Sequence, residues 1–354
     1  MLDTFAIDIQ PTATSRLAEL DPANMEFGKL FADHMLTVEF TDGEWQQPRI
    51  VPYGPLTISP ANSALHYGQA IFEGAKAYRQ ADGSVALFRP LDNWRRLNAS
   101  AERMAMPTVP EDIFLQGLRE LVKLDAGWVP DTAGSSLYLR PFMFATDGFL
   151  GVRPSEKYHF GIITCPVAAF FTKPVRVRFE QKYVRAAPGG AGYAKNAGNY
   201  GAAMLPSKLA QQEGYHQLLW TDASEHQYVE ESGAMNVMFV IDGVIITPAL
   251  STSILDGITR RSVLELARDW GLPVEERRVS SREVVAAIQE GRLTEAFGVG
   301  TAATIAPIAT IGYEGHNYDL PALLDDAFAR RVGAALEAIR TGHAADPHGW
   351  MVAV

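Results

Sequence analysis

Apolar and polar positions along the chain follow two spacings, which together predict a mixture of strands and helices. Alternating or short β-branched apolar runs closed by turn residues predict strands, whereas apolar positions three and four residues apart predict helices. The predicted strands cover 34–40, 75–78, 84–88, 136–145, 158–168, 175–184, 217–220 and a hairpin over 236–246. The predicted helices cover 63–72, 90–104, 111–124, 259–270, 282–290 and 322–341. Helices interleaved with hairpins favour an α+β fold over repeated strand–helix–strand units.

A change in composition near Phe171-Thr172-Lys173-Pro174 predicts a boundary between two domains. The 354 residues exceed the usual size of a single domain, and a new β-rich run begins at Val175. We therefore expect an N-terminal domain over 1–171, a linker over 172–174 and a C-terminal domain over 175–354.

Charge and composition narrow the classes of partner. The chain has 31 Lys and Arg against 41 Asp and Glu, so it lacks the basic surface that nucleic acids and anionic membranes require. Its one cysteine, Cys165, rules out an intrachain disulfide framework and a cysteine-rich metal site. The first ten residues have no basic stretch followed by an apolar block, so we expect a cytoplasmic location. The eight histidines show neither an HExxH motif nor a paired metal-ligand spacing, so we expect no metal.

The stretch Gly189–Met204 contains one charged residue, Lys195, among Gly, Ala, Asn and Tyr. A lysine amine with small, uncharged neighbours can lose water and become nucleophilic. A flexible glycine-rich loop with an incidental lysine explains the same pattern. Both interpretations stay open on this stretch alone.

Two carboxylates, Glu230 and Glu231, come directly before an apolar strand. We expect one of them to point inward, where a carboxylate needs a cationic partner such as a pyridinium nitrogen. An exposed acidic turn before the strand is the alternative.

Backbone N–H groups at two further segments are suited to binding an anion. Asp256–Arg260 precedes a predicted helix, so that its N–H groups and the Thr259 hydroxyl could hold a phosphate, although ordinary helix capping explains the same residues. The segment GVGTAA (298–303) matches the dinucleotide fingerprint GxGxxA, but Pro307 follows within about one turn and excludes the long helix that this fingerprint requires. We interpret it as a Gly-Thr turn.

In combination, these segments resemble the branched-chain amino acid aminotransferases of fold type IV, which use pyridoxal 5'-phosphate (PLP). Eight blocks in family order carry the resemblance: FGKLFADHMLTVEF (27–40), ALHYGQAIFEGAKAY (64–78), LFRPLDNWRRL (87–97), SLYLRP (136–141), GYAKNAGNYGAA (192–203), VEESGAMN (229–236), DGITRRS (256–262) and GVGTAA (298–303). It implies a two-domain α+β fold, with a smaller N-terminal α/β domain and a larger C-terminal domain that has mixed sheets and a barrel-like β core. It also implies a homodimer.

The resemblance assigns the following roles toward PLP. Lys195 would form the Schiff base and then act as general base, while Tyr200 would bond to the phenolic oxygen and Glu231 would face the pyridine nitrogen. The phosphate would be held by Arg96, Ile258, Thr259 and Thr301.

The resemblance also assigns a substrate pocket. Phe27, Phe72, Tyr138, Phe170 and Val175 would line its apolar part, with Tyr67 and Val152 supplied by the partner subunit; Ala234 N–H, Ala302 N–H and the Tyr200 hydroxyl would face the α-carboxylate. Arg140 would orient Tyr138 or bind the distal carboxylate of glutamate. The chain departs from family patterns in two ways. Ala234 replaces a threonine of several members, and Ala303 and Ala306 replace the redox CxxC of the vertebrate enzymes, so we expect no thiol switch there.

The implied reaction transfers the amino group of L-leucine, L-isoleucine or L-valine to 2-oxoglutarate, giving branched-chain 2-oxo acids and L-glutamate. A D-amino acid aminotransferase or an aminodeoxychorismate lyase of the same fold is the nearest alternative. A non-catalytic PLP- or phosphate-binding protein and a nucleotide-binding oxidoreductase are alternatives from other classes, and the second is weakened by Pro307.

Overall fold

The structure is a computed structural model that describes residues 6–168 and 173–354. By its internal contacts the chain divides into two compact units. Unit 1 contains the described residues up to 168 together with Ala194–Ala197 and Glu337–Val354, and unit 2 contains 173–193 and Gly198–Leu336. The chain changes unit close to the expected linker at 172–174. The two later segments of unit 1 differ from the predicted division, which placed both in the C-terminal domain.

Unit 1 is built on a ten-stranded sheet. Its strands are β1 (Asp8–Ile9), β2 (His34–Thr41), β3 (Glu44–Trp45), β4 (Arg49–Pro52), β5 (Ala70–Phe72), β6 (Ala75–Arg79), β7 (Val85–Phe88), β8 (Ser136–Ala145), β9 (Tyr158–Val167) and, at the C-terminus, β19 (Met351–Ala353). The order is β1-β4-β2-β9-β8-β6-β7-β19, with β3 paired to β2 and β5 to β8. Because β19 pairs antiparallel with β7, the end of the chain belongs to this unit.

In the part of unit 1 that the structure describes before residue 169, three α-helices accompany this sheet: α1 (Ser63–Tyr67), α2 (Pro90–Arg103) and α3 (Glu111–Leu124). Pro90 suits the first position of α2 because its missing N–H needs no partner there. The predicted bounds of α3 are confirmed, since its apolar stripe is regular and acidic residues open it. The expectation of a helix over 63–72 was wrong after Tyr67, because Gly68 adopts a left-handed conformation that ends α1 and the chain continues as β5.

Unit 2 is built on a nine-stranded sheet. Its strands are β10 (Val175–Phe179), β11 (Gln217–Thr221), β12 (Val229–Ser232), β13 (Asn236–Ile241), β14 (Val244–Thr247), β15 (Val274–Glu276), β16 (Leu293–Gly300), β17 (Thr304–Tyr313) and β18 (His316–Asp319). The order is β12-β11-β10-β17-β16-β13-β14-β15, with β18 paired to β17. Parallel pairs such as β10–β11 and antiparallel pairs such as β13–β16 occur together, which confirms the expected mixed sheet.

Strand β10 is shorter than the β-rich run that predicted it over 175–184. It ends at Phe179, and the carboxylate of the next residue, Glu180, accepts the N–H groups of Lys182 and Tyr183 at 2.9 and 3.0 Å. A side chain that binds backbone N–H groups two and three residues ahead turns the chain and takes those groups away from a strand ladder.

The remaining helices are α4 (Ala197–Gln212), α5 (Ile258–Asp269), α6 (Ser281–Gln289) and α7 (Phe328–Arg340). The hairpin over 236–246 is confirmed: Asp242 and Gly243 both have positive φ, as a tight two-residue turn requires. The segment 298–303 belongs to a second hairpin, between β16 and β17, and begins no helix, so the rejection of a dinucleotide fingerprint is confirmed. Among the helices in the described ranges, none has the length and apolar character needed to cross a membrane.

The packing of α3 against the sheet of unit 1 can be tested at Phe160. The Phe160 side chain on β9 is fully buried, with its ring 6.1 Å from Phe114 of α3 and 6.3 Å from Trp45. We expect Phe160→Ala to lower the free energy of unfolding by about 3–5 kcal/mol, because it removes buried aromatic contacts and leaves a cavity. Urea unfolding measures the change. Ile9→Ala, at an exposed position, is the control and should cost less than about 0.5 kcal/mol.

Candidate active site

Lys195 lies in a short segment of unit 1 whose backbone is held on both sides. Its N–H donates to Ser100 Oγ on α2 at 2.9 Å, and its carbonyl accepts from the Phe72 N–H at 3.0 Å. The next residue, Asn196, forms an isolated bridge with Ile71 of β5. The Lys195 Nζ atom lies 4.8 Å from the centre of the Phe72 ring. These contacts favour an ordered site over a loop with an incidental lysine.

Helix α2 also carries a buried ion pair. Arg96 contacts Glu73 through two bonds, Nε to Oε1 at 2.7 Å and Nη2 to Oε2 at 2.8 Å. Asn93 Nδ2 and the Gly74 N–H also donate to Glu73 Oε2, at 2.8 and 3.1 Å. Burial alone would raise the pKa of Glu73, but Arg96, Lys195 and Asn93 outweigh it and hold this pKa below its usual value. Glu73 is therefore a buried anion beside Lys195.

Phe72 also belongs to an aromatic cluster in unit 1. The guanidinium of Arg140 lies 4.7 Å from the centre of the Phe72 ring, and its Nη2 donates to the Tyr138 hydroxyl at 3.1 Å. Phe27 packs edge-on against Tyr138, with ring centres 4.9 Å apart. The structure thus brings Phe27, Phe72, Tyr138 and Arg140 together, and Lys195 contacts this cluster through Phe72.

Among the other expected pocket residues, two are exposed in unit 1 and one is buried in unit 2. Tyr67 is 44% exposed and donates its hydroxyl to the Leu150 carbonyl, while Val152 is 88% exposed. Val175 is 2% exposed, in the apolar core of unit 2. Phe170 lies outside the described residues.

Within unit 2, strand β12 buries both of its acidic residues. We expected one of Glu230 and Glu231 to point inward; both are buried, because neighbouring segments cover both faces of this strand. Glu231 Oε1 accepts from the Leu255 N–H at 2.7 Å and lies 3.2 Å from Arg185 Nη2. Arg185 Nη2 also donates to the carbonyls of Gly192 and Ser253. Glu231 is therefore a carboxylate fixed by a cation and a backbone group.

A half-open cavity of about 220 Å³ lies next to this carboxylate in unit 2. Tyr200, Glu231 and Ala234 contribute to its lining. Ala234 occupies a two-residue turn with Gly233, closed by backbone hydrogen bonds between Ser232 and Met235. Gly233 has a φ of 57°, which explains a glycine at this position.

The first turn of α5 is buried without a side-chain cap. Gly257 precedes Ile258 and Thr259, and within the described part of the chain no side chain caps this end of the helix. A Cβ at Gly257 would overlap Oδ1 of Asn236, whose backbone pairs with Val299 of β16. The start of α5 thus lies beside the end of β16, where the turn with Thr301 and Ala302 follows. Buried N–H groups at an uncapped helix start are suited to binding an anion.

Each unit, taken by itself, carries groups whose chemistry suits one part of a phosphorylated aldehyde with a basic ring nitrogen. In unit 1 a lysine amine can react with the aldehyde, and an arginine can bind phosphate. In unit 2 the uncapped start of α5 suits a phosphate, and the buried carboxylate of Glu231 suits a protonated ring nitrogen.

Comparison with known proteins gives the family. The family model for amino-transferase class IV matches residues 70–311. The chain belongs to this family. Branched-chain-amino-acid transaminase 1 of Bacillus subtilis is 47% identical over 339 residues, covering 94% of this chain and 95% of the relative. The branched-chain-amino-acid aminotransferase of Mycolicibacterium smegmatis is 44% identical, covering 96% and 95%.

Solved structures agree with the family assignment. The branched-chain amino acid aminotransferase of Escherichia coli superposes with a TM-score of 0.71 at 27% identity, covering 89% of this class IV aminotransferase and 98% of that chain. The Thermobaculum terrenum enzyme, described in its PLP form, gives 0.71 at 26% identity, covering 90% and 97%. The expected fold-type IV architecture and the resemblance to branched-chain aminotransferases are confirmed.

Sequence reasoning missed three side chains of this class IV aminotransferase: Glu73, Ser100 and Arg185. The sequence did contain a pattern that points to Glu73 and Ser100. Asn93, Arg96 and Ser100 are spaced three and four residues apart and so share one face of α2. A polar stripe on the buried face of a helix predicts buried partners for it. No local pattern marks Arg185, whose partners Glu231 and Ser253 lie far along the chain.

The pH dependence of the free energy of unfolding tests the raised pKa of Glu230, which lies next to Glu231 on β12. Burial raises the pKa of Glu230 from 4.5 to about 7, with Arg185 opposing the shift and Glu231 adding to it. The native state therefore binds more protons than the unfolded state between these pH values, so stability falls as pH rises through this window. Between pH 5 and pH 8 this carboxyl should change the free energy of unfolding of wild type by up to roughly 3 kcal/mol, and Glu230→Gln should lose that change.

Urea unfolding at both pH values measures the change. The matched control is Glu225→Gln, at an exposed position in the loop that precedes β12, and it should leave the pH dependence of wild type unchanged. An unaltered dependence in Glu230→Gln would contradict the assignment of a raised pKa to this carboxyl.

Proposed function

We propose that this chain is a PLP-dependent branched-chain amino acid transaminase. It transfers the amino group of L-leucine, L-isoleucine or L-valine to 2-oxoglutarate and gives branched-chain 2-oxo acids and L-glutamate. The observation that carries the proposal is the fixed position of Lys195, whose backbone is bonded to Ser100 and Phe72 and whose amine lies over an aromatic ring. The names of relatives at up to 47% identity support the choice of substrates.

Bound PLP supplies an electron-withdrawing ring that stabilises negative charge at the substrate α-carbon. Lys195 would bond to the aldehyde, and Glu231 would pair with the ring nitrogen. Tyr200 would donate its hydroxyl to the phenolic oxygen. Arg96, the Ile258 N–H, Thr259 and Thr301 would hold the phosphate.

Lys195 also moves the proton. Its amine, when not bonded to the cofactor, would accept the proton from the substrate α-carbon and donate it again during the transfer. Arg185 compensates the charge of the buried Glu231 and holds that carboxylate in place during this transfer.

The substrate side chain is held by Phe27, Phe72, Tyr138, Phe170 and Val175, and the α-carboxylate by the N–H groups of Ala234 and Ala302 with the Tyr200 hydroxyl. Support comes from the packing of Phe27 on Tyr138 and from the buried position of Tyr138. Arg140 Nη2 donates to the Tyr138 hydroxyl, which supports a role in orienting Tyr138, and binding of the distal carboxylate of glutamate is the alternative role for Arg140.

The working form is a homodimer in the cytoplasm, with Tyr67 and Val152 directed toward the partner's site. Support comes from an exposed apolar strip, Phe149, Leu150 and Val152, whose side chains are 46, 59 and 88% exposed. Apolar side chains that cluster at a surface mark interaction sites.

The visible spectrum tests the cofactor and the substrate together. Wild type incubated with PLP should absorb near about 410–430 nm and shift to about 330 nm when L-leucine is added without an oxo acid. In Lys195→Ala the rate of this conversion should fall by at least about 10³-fold, as expected for the loss of a catalytic nucleophile and base. The matched control, Lys208→Ala, removes an exposed lysine of α4 and should behave as wild type.

D-leucine should leave the band unchanged. A band that responds only to D-amino acids would favour the D-amino acid aminotransferase alternative, and the absence of any band after incubation with PLP would contradict the cofactor assignment.

The dimer has its own test. Val152→Asp places a charge in the exposed apolar strip, so we expect the mass in solution to fall from that of two chains to that of one. Light scattering after size-exclusion chromatography measures it. Leu324→Asp, at a position 72% exposed in unit 2, is the control and should remain dimeric. A dimeric Val152→Asp variant would show that this strip is not at the interface.

A further inference from the structure

We propose that Glu73 is a positioning residue that fixes Arg96 in the orientation needed for the cofactor's phosphate. This inference rests on the proposed function, in which Arg96 binds that phosphate. The observation behind it is the two-bond contact between Arg96 and a completely buried carboxylate in unit 1.

The contact determines the orientation of the guanidinium. Glu73 bonds to the Nε and Nη2 edge of Arg96, and the guanidinium is planar. Two parallel bonds to one carboxylate therefore allow a single plane and a single direction for the opposite, Nη1 edge. A guanidinium held by one bond could rotate, and its N–H groups would then no longer be aligned with the phosphate oxygens.

Glu73 is itself fixed from two sides. Asn93, one turn before Arg96 on α2, donates to its Oε2, and so does the N–H of Gly74, the next residue in the chain. The carboxylate thus connects α2 to the segment between β5 and β6. Ser100 on the same face of α2 bonds to the Lys195 backbone, so one helix face holds both the arginine and the lysine.

Geometry and net charge predict opposite results when Glu73 is neutralised. Glu73 compensates one of the two nearby cations, Arg96 and Lys195, and its removal leaves more positive charge for a phosphate to meet. If charge alone mattered, Glu73→Gln would bind phosphate more tightly. If orientation matters, the same variant binds phosphate more weakly.

The experiment compares PLP with pyridoxal, which lacks the phosphate but carries the same aldehyde and ring. Dissociation constants for both are measured by absorbance with the apo form of the full chain. In Glu73→Gln we expect PLP to bind at least about 10-fold more weakly while pyridoxal changes little, since loss of a group that orients a ligand typically costs 10–100-fold. Equal weakening of both, no change, or tighter PLP binding would overturn the proposal.

A second measurement tests whether the effect passes through Arg96. In an Arg96→Lys background the two-bond contact is absent, so adding Glu73→Gln should cost less than about 3-fold more in PLP affinity. Independent, additive losses would contradict the proposed coupling.

The control is Glu295→Gln. This buried carboxylate in unit 2 accepts from the N–H groups of Phe328 and Ala329 at the start of α7, so its neutralisation should lower thermal stability without changing the preference for PLP over pyridoxal. If Glu73→Gln does not fold, Asn93→Ala decides the question, because it removes one anchor of Glu73 and should reduce the same preference by a few-fold; an unchanged preference overturns the proposal. Failure of wild type to bind PLP would instead reject the proposed function.

Discussion

The buried pair of Glu73 and Arg96 is the interaction on which the rest of the lysine's surroundings depends. Taking two charges out of water costs several kcal/mol for each ion, and their attraction offsets that cost only with good geometry and with further hydrogen bonds. Glu73 meets this condition with bonds from Arg96, Asn93 and the Gly74 N–H. Because the pair joins α2 to the β5–β6 connection, loss of either partner would leave a charge buried and loosen the helix face that also holds Lys195.

Arg185 imposes a comparable constraint in unit 2. Its guanidinium lies beside Glu231 and bonds to two backbone carbonyls, while Glu230, the preceding residue of β12, is also buried. Successive side chains of a strand point to opposite faces, so both can be buried only because β12 is covered on both sides. A single cation cannot fully compensate two carboxylates. The pKa of Glu230 therefore rises to about 7, through burial first and through Glu231 in addition, and Glu231 keeps the closer contact with Arg185.

Local patterns in the sequence predicted the elements whose ends are set locally. Helix α3 begins and ends as expected, because its apolar stripe and its acidic first turn are properties of the segment itself. Helix α7 begins at Phe328 and not at 322, because Glu295, far away in the chain, accepts the N–H groups of Phe328 and Ala329 and so sets its start. A pattern confined to the segment 322–341 contains no sign of that carboxylate.

The residues of the candidate site also fall into two groups, those that the sequence indicates and those that only the structure reveals. A lone lysine in a run of small residues draws attention to Lys195, and an acidic pair before an apolar strand draws attention to Glu230 and Glu231. The family resemblance then selects Lys195 and Glu231. Glu73 and Arg185 are recognisable only from their partners, which lie in other elements of the fold. A side chain that orients another one has no characteristic sequence motif, because its role depends on a partner that lies far away in the chain. The residues that orient Arg96 and Glu231 therefore had to be found in the structure, whereas the residues that they orient could be named from the sequence.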